Sequence, residues 1–430
     1  MSESLTDNRA DAAPVVTAAM PRTIGESFSN WRARVSTGEI GSLPAVIGIV
    51  VLVVIFSIAQ PGFWSLSSFV SILQESAATI VLAMGLVFVL LLGEIDLSAG
   101  VVGSTAACFG AILSVKHNMP WPIAVIAAAA FGAVSGLLLG WLRSRIGIPS
   151  FVVTLAAFIS FQGAQILVIG SSSGQVSISD KVIIALDNSR LSPVLGWVYL
   201  VIGIALYTVV KMIQLGSRRR QGLATEPTIL LVLRIGAMII GGALFVYACN
   251  IDQALDWQQR AGIHIRGVPW VAPIIVVLLV ILTFVLGKTR YGRHIYAVGG
   301  SDEAARRAGI PVRLIRTSVF VICSTLAGLS GLFLASQLNG VNTQEGSGNT
   351  LLLAVAAAVV GGTSLAGGRG RVIDAVLGGL ALTVLAYGMS NLIKGGNASA
   401  YQFIITGIVL LLAAAVDALS RHAGRAGASV

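Results

Sequence analysis

SFVSILQESAATIVLAMGLVFVLLLGEIDLSAG, residues 68–100, decides the fold. From 68 to 92 the side chains are almost all apolar, with Gln74 and Glu75 set inside the run. At about 1.5 Å of helical rise per residue, roughly 17 to 25 such residues cross a hydrocarbon core of about 30 Å. Apolar and polar residues do not alternate at every second position, so the run is no strand of an outer-membrane barrel. Lipid offers no partner for open backbone groups, which leaves a closed helix. The run stops at an acidic link, Gly93 to Gly100, and the next apolar run begins within it.

Runs of this kind recur along the chain. They lie at 44–60, 68–92, 97–115, 121–142, 149–170, 193–213, 228–249, 269–287, 315–337, 350–366, 373–393 and 401–418. Hydrophobic residues make up 56% of the chain and charged residues 11%, against about 25% charged in soluble domains. The expected fold is an all-α polytopic bundle of about twelve transmembrane helices. Residues 1–43 are polar and expected to be a disordered cytoplasmic tail. A cleaved signal peptide would place its apolar stretch nearer the start, so the run beginning at Leu43 reads as a retained first helix. The membrane domain then covers 44–418, and 419–430 is a second cytoplasmic tail.

The net charge of +10 does not point to nucleic acid, because the basic residues sit in short loops between apolar runs. Arg143 and Arg145 follow the fourth run and Arg218 to Arg220 the sixth. Lys288, Arg290, Arg293, Arg306, Arg307 and Arg313 follow the eighth, and Arg369 and Arg371 the tenth. The opposite loops are poorer in Lys and Arg, and several carry Asp. This bias puts both termini in the cytoplasm. Gly132, Gly136 and Gly140 recur every four residues, and Gly361–Gly362 and Gly378–Gly379 form pairs. Both patterns suit close helix packing.

No catalytic or metal chemistry is legible. Cys108, Cys249 and Cys323 lie in apolar runs, without the spacing of a metal site or of a disulfide framework. His117, His264, His294 and His422 are scattered, and no HExxH or GxSxG pattern is present. Gly287-Lys288-Thr289 ends like a phosphate loop, but Leu282 stands where that motif needs Gly. No cofactor is expected, and any ATP must be bound and hydrolysed by a separate subunit.

Charge inside a membrane is expensive, roughly 2.5–3.5 kcal/mol on insertion scales, so such residues face a cavity or a partner. Glu75, Glu94, Asp96 and Asp374 fall in or beside the runs. Asp96 before Leu97-Ser98 suits a helix start. Gln74, Gln162, Gln165, Gln337, Asn339 and Asn391 interrupt or end apolar runs; together with Glu75 they are candidates for lining a solute path, since amides both donate and accept. Each equally suits a hydrogen bond to a neighbouring helix.

The long basic loop at 288–316 contains Ser301, Asp302, Glu303, Ala304, Ala305, Arg306, Arg307, Ala308 and Gly309, then Ile310-Pro311. Ser301 can cap a short helix that Gly309 stops. A motor subunit could push on such a helix; a solvated connector held by anionic lipid is the plainer reading.

GEIDLSAG at 93–100, YGRHIYAVGGSDEAARRAGI at 291–310 and VVGGTSLAGGRGRVIDAVLGG at 359–379 resemble the ribose/xylose-type permeases of bacterial ABC sugar importers, in order and over about 44–417. Glu94 stands where ribose-type members usually carry Gly, as in xylose-type members. The extra length lies at 193–268, read as an added helix pair. The resemblance implies a permease pair in the bacterial inner membrane, two cytoplasmic ABC ATPase subunits, a periplasmic sugar-binding protein and a monosaccharide substrate, D-xylose. It makes 303–309 the segment that couples to the ATPase and Gly93, Glu94, Asp96, Ser98 and Gly100 a structural motif. The rival functions are an ABC permease for another pentose or hexose, an ion-coupled secondary transporter, which would need an essential intramembrane acid such as Glu75, and a membrane enzyme acting on a lipid-linked substrate, which would need a polar catalytic cluster.

Overall fold

The structure, a computed structural model, describes residues 42–170, 174–222, 227–254, 256–262, 264–343, 349–393 and 397–426. Of the expected tails, residues 1–41 and 427–430 lie outside the described residues. Helices follow the apolar runs. They are α1 (Leu43–Ala59), α2 (Leu66–Leu91), α3 (Ala99–Val115), α4 (Trp121–Trp141, prolonged by a π turn, Leu142–Ile146), α5 (Ser150–Ile169), α6 (Lys181–Asn188), α7 (Pro193–Arg220) and α8 (Thr228–Asn250). After them come α9 (Asp256–Arg260), α10 (Val271–Lys288), α11 (Arg290–Gly300), α12 (Asp302–Arg307), α13 (Val312–Gln337), α14 (Asn349–Gly361), α15 (Val372–Leu392) and α16 (Ala398–Ala426). Two short strands, β1 (Gln175–Ser177) and β2 (Gly340–Asn342), pair antiparallel with Val176 opposite Val341.

Among the described residues eight helices are long and apolar enough to cross a membrane. Four shorter apolar helices, Leu43–Ala59, Ala99–Val115, Asn349–Gly361 and Ser399–Ala415, accompany them. Each of the expected runs therefore falls on a helix, and the protein is a polytopic helical membrane protein. The main departure is α14, which ends at Gly361 where the sequence suggested 366. Gly362 turns the chain there with φ +122. With 13 residues the helix is only about 20 Å long. Irregular backbone continues it, with Thr363 and Ser364 buried; at membrane depth such backbone is tolerated only against protein or a wet cavity.

The described chain forms two compact units. One contains 197–245, the greater part of α7 and α8. Within it Leu200 leaves no room for a Cβ at Gly242, and Arg219 donates to the Thr228 hydroxyl at 3.1 Å. Its outward residues, such as Val201, Leu206 and Ile240, are apolar and exposed, as suits helices bathed in lipid. The other unit comprises 38–196 and 246–430. Its centre is α13, which packs on α2, α3 and α4, while α14 and α15 pair with each other and lie on α2.

Small residues let these helices approach. A Cβ at Gly132 or Gly136 would overlap the carbonyl oxygens of Ser324 or Phe320, and one at Gly140 would press on Thr317, all on α13. Between α14 and α15, Gly361 meets the carbonyl of Asp374 and Gly378 that of Ala357. Contacts this close maximise van der Waals attraction where lipid supplies no hydrophobic drive between helices. Gly136→Val should therefore lower the thermal midpoint of the detergent-purified protein, overpacking alone costing about 1–3 kcal/mol. Gly163→Val on α5, where a Cβ meets nothing within 4 Å, should leave it unchanged.

Candidate functional site

The three sequence motifs meet at the basic end of the bundle. Gly93 ends α2 in a left-handed turn, φ +69, and a Cβ on it would press on the Ala366 carbonyl. The Gly368 N–H donates to the Leu91 carbonyl at 2.8 Å. A side chain on Gly299 would overlap that carbonyl and the Gly368 nitrogen. The Tyr296 hydroxyl donates to the Gly370 carbonyl at 2.8 Å. Three segments far apart in the chain thus touch backbone to backbone, which explains the glycines in all three.

A chain of charges runs through this knot. Glu94 is buried, 5% exposed. Arg143, on the π turn after α4, donates from Nε to its two oxygens at 2.9 and 3.1 Å, and Nη2 lies 2.7 Å from Oε1. Arg316, in the second turn of α13, places Nε 3.3 Å from the same Oε1. The Nη2 of Arg316 lies 3.3 Å from Oδ2 of Asp302, the first residue of α12. Asp302 also pairs with Arg306 one turn on, at 3.3 Å. Low dielectric strengthens such contacts relative to surface pairs. Beside them Asp96, 1% exposed, accepts from the Ser98 N–H at 2.9 Å and its hydroxyl at 2.6 Å. It fixes the head of α3, where Ser98 and Gly100 are buried.

Local chemistry makes α12. The Ser301 hydroxyl accepts the Ala304 N–H at 3.3 Å, Asp302 and Glu303 occupy the first turn and Arg306 and Arg307 the last. Gly309 ends it with φ +79. Ala305 is buried and anchors the helix; Glu303, Ala304, Arg306, Arg307 and Gly309 are exposed. Glu303 and Arg307 pair across one turn. The helix thus offers a charged, open face while Asp302 ties it to Arg316.

Beside the middle of α2 and α15 and the last residue of α13, an open cavity of about 180 Å³ lies among α2, α13, α14 and α15, with Glu75 exposed at it. Glu75, Thr79, Gln337, Leu353, Leu382, Thr383 and Ala386 line it. Of the candidate path residues it brings together Glu75 and Gln337. Gln74 instead donates to the Asp187 carbonyl on α6 at 2.5 Å. Asn339 sits just beyond α13 with φ +53 and accepts from the Asn188 amide at 3.2 Å. Gln165 is buried between helices, accepting from Ser104 at 3.1 Å and donating to the Asn342 carbonyl at 2.6 Å. Gln162 is half-buried on α5. Asn391 is exposed and donates to the Tyr387 carbonyl one turn back, at 2.9 Å. Sequence reasoning missed Arg316, Thr79, Thr383 and Asp187. Thr79 stands one helical turn from Glu75, a spacing that could have suggested it; the others carry no local signal.

Two predictions follow from these contacts. Glu94→Gln should destabilise the protein more than Arg316→Gln. The first leaves Arg143 without its anion and Arg316 with Asp302 alone; the second leaves Glu94 paired with Arg143. Breaking a buried pair costs about 3–5 kcal/mol, and thermal unfolding in detergent reads the order. The second prediction concerns pH. Burial, and then the charge of Glu75, push the Asp187 carboxyl up to about 7. Between the ordinary carboxylate range and that value the folded protein keeps a proton that the unfolded chain has lost. Stability should therefore fall as pH rises from 5 to 7, by up to about 1.4 kcal/mol per unit. Asp187→Asn should flatten the profile.

Comparison with known proteins agrees with this architecture. Residues 68–414 match the family model "Branched-chain amino acid transport system / permease component". The xylose transport system permease protein of Haemophilus influenzae is 34% identical over 86% of this chain and 94% of its own. The Escherichia coli K12 xylose transport system permease protein is 32% identical over 88% and 91%. The ribose import permease protein of Escherichia coli K12 is 28% identical over 87% and 92%. No solved structure matches. The chain belongs to the transport-permease family "Branched-chain amino acid transport system / permease component", as a multi-pass protein of the inner membrane.

Proposed function

We propose that the chain is the membrane-spanning subunit of an ATP-binding-cassette importer for D-xylose, working as a permease pair. Separate cytoplasmic ATPase subunits bind and hydrolyse ATP, and a periplasmic binding protein delivers the sugar. The observation that carries this reading is α12, an exposed charged helix at the basic end, joined through Asp302 and Arg316 to a buried carboxylate in the core. The choice of sugar rests on the two relatives named for xylose.

In this reading ATP closes the motor subunits and displaces α12. The Asp302–Arg316 pair carries the displacement to α13, and Glu94 carries it to the end of α2. Helix α13 ends at the cavity and α2 runs past it, and the bundle alternates between outward- and inward-open states. The sugar crosses without chemical change. Segment 288–316 is then the coupling loop and 193–268 an accessory helix pair.

The test is ATP hydrolysis in proteoliposomes by the chain with its ATPase and binding protein, offered xylose, ribose, arabinose and galactose. Xylose-loaded binding protein should stimulate hydrolysis most. The triple substitution Glu303→Ala, Arg306→Ala and Arg307→Ala should leave the thermal midpoint nearly unchanged, since exposed pairs are worth about 0–1 kcal/mol. It should reduce the stimulation at least about fivefold if α12 docks the motor through these residues, whose pairing is surface-exposed. Uptake driven by an ion gradient with no ATPase present would refute the proposal.

A further inference from the structure

The seam between α4 and α13 ends in two arginines that the protein itself leaves unpaired. The helices run antiparallel there. Gly132 meets Ser324, Gly136 meets Phe320 and Gly140 meets Thr317, and the Ser144 and Thr317 hydroxyls bond at 2.8 Å. Around this last contact each helix end supplies two arginines. Arg143 and Arg316 turn inward to Glu94. Arg145 and Arg313 are exposed, and among the described residues neither guanidinium has an ion-pair partner. The neighbouring carboxylates are already engaged. Glu94 holds Arg143 and Arg316, Asp302 holds Arg306 and Arg316, Glu303 holds Arg307 and Asp374 holds Arg371. Asp96 is buried against Ser98.

The flank of the seam is apolar. On α4 the residue after each seam contact stands beside the seam: Leu137 after Gly136, Trp141 after Gly140 and Arg145 after Ser144, one turn apart on one flank. Leu137 and Trp141 are 53% and 48% exposed, and Leu314, next to Arg313, is 65% exposed. Along this flank an aliphatic side chain is followed by an indole and then a guanidinium. A lipid leaflet has the same order: hydrocarbon, the interface where Trp collects, and charged headgroup.

We propose that the seam seats one anionic phospholipid, its phosphate between Arg145 and Arg313 and an acyl chain along Leu137 and Trp141. Guanidinium forks match phosphate oxygens bidentately, and basic clusters at a membrane surface attract anionic headgroups. A zwitterionic headgroup brings a cation that the two arginines repel. A soluble phosphate has no chain to cover the apolar flank. Because each helix contributes one arginine, the lipid ties together the two helix ends that also hold Glu94.

Two measurements on the full chain test this. In detergent, phosphatidylglycerol should raise the thermal midpoint at least twice as far as phosphatidylcholine, since a ligand of the folded state stabilises it. Joint substitution Arg145→Gln and Arg313→Gln should cut that difference at least threefold. Joint substitution Arg290→Gln and Arg293→Gln removes the same charge from exposed, unpaired positions on α11 and should preserve it. Equal loss in both double variants would mean attraction to any basic surface and would overturn the site, as would a shift reproduced by glycerol phosphate alone. The second measurement reads position and needs no variant of the arginines to fold. In nanodiscs of equal lipid fraction, phosphatidylglycerol with brominated acyl chains should quench the emission that Trp141→Phe removes at least twofold more than brominated phosphatidylcholine. Equal quenching by the two lipids would refute the proposal. Unchanged lipid responses in the Arg145→Gln, Arg313→Gln variant together with weakened binding of the ATPase would assign the surface to the motor subunit and refute it too.

Discussion

A carboxylate held away from water needs its charge answered at contact distance, and at Glu94 two guanidiniums do this. Desolvating an ion costs several kcal/mol, and removing one partner leaves that cost uncompensated. The pairing therefore dictates where three segments stand. It holds the α2–α3 link against the end of α4 and the start of α13. Because Arg316 also reaches Asp302, the same demand fixes α12 beneath the bundle. The exposed face of that short helix is oriented by an interaction buried above it.

The neutral packing obeys a related constraint. Lipid tails are as apolar as leucine, so helices gain little by hiding apolar surface from them. What remains is close approach, and the glycines of α4, α14 and α15 allow it. At the basic end the same residue type closes the knot of Gly93, Gly299, Gly367 and Gly368. The glycine-rich stretch at 361–371, which in a soluble protein would suggest a phosphate loop, here has its backbone occupied by other backbone.

Much of this was legible in the sequence because it depends on local pattern. Apolar run length located the membrane helices. Ser301, the acids after it and Gly309 located α12, since capping is a property of neighbours in sequence. The short length of α14 was not legible, because its apolar run continues past Gly361 into residues buried as loop. The β1–β2 pairing joins segments that share no periodicity. The role of Arg316 was hidden for the same reason: it depends on Glu94, brought close only by the fold. Among the polar residues, composition could not separate Gln165, engaged on both sides, from Glu75 and Gln337, which face open space. That distinction rests on which neighbour each side chain meets.

One consequence concerns mechanical advantage. Helix α13 spans Val312–Gln337 and α2 Leu66–Leu91, each continuous and without a proline, so each can move as one piece. Residues 316 and 337 are separated by about 30 Å along the axis, so a tilt of only about 5° about one end moves the other by roughly 2–3 Å. A displacement of that size decides whether a hydrogen bond is made or broken. The bundle thus holds a pair of levers: a slight rotation at the basic end becomes a displacement of that size at the other.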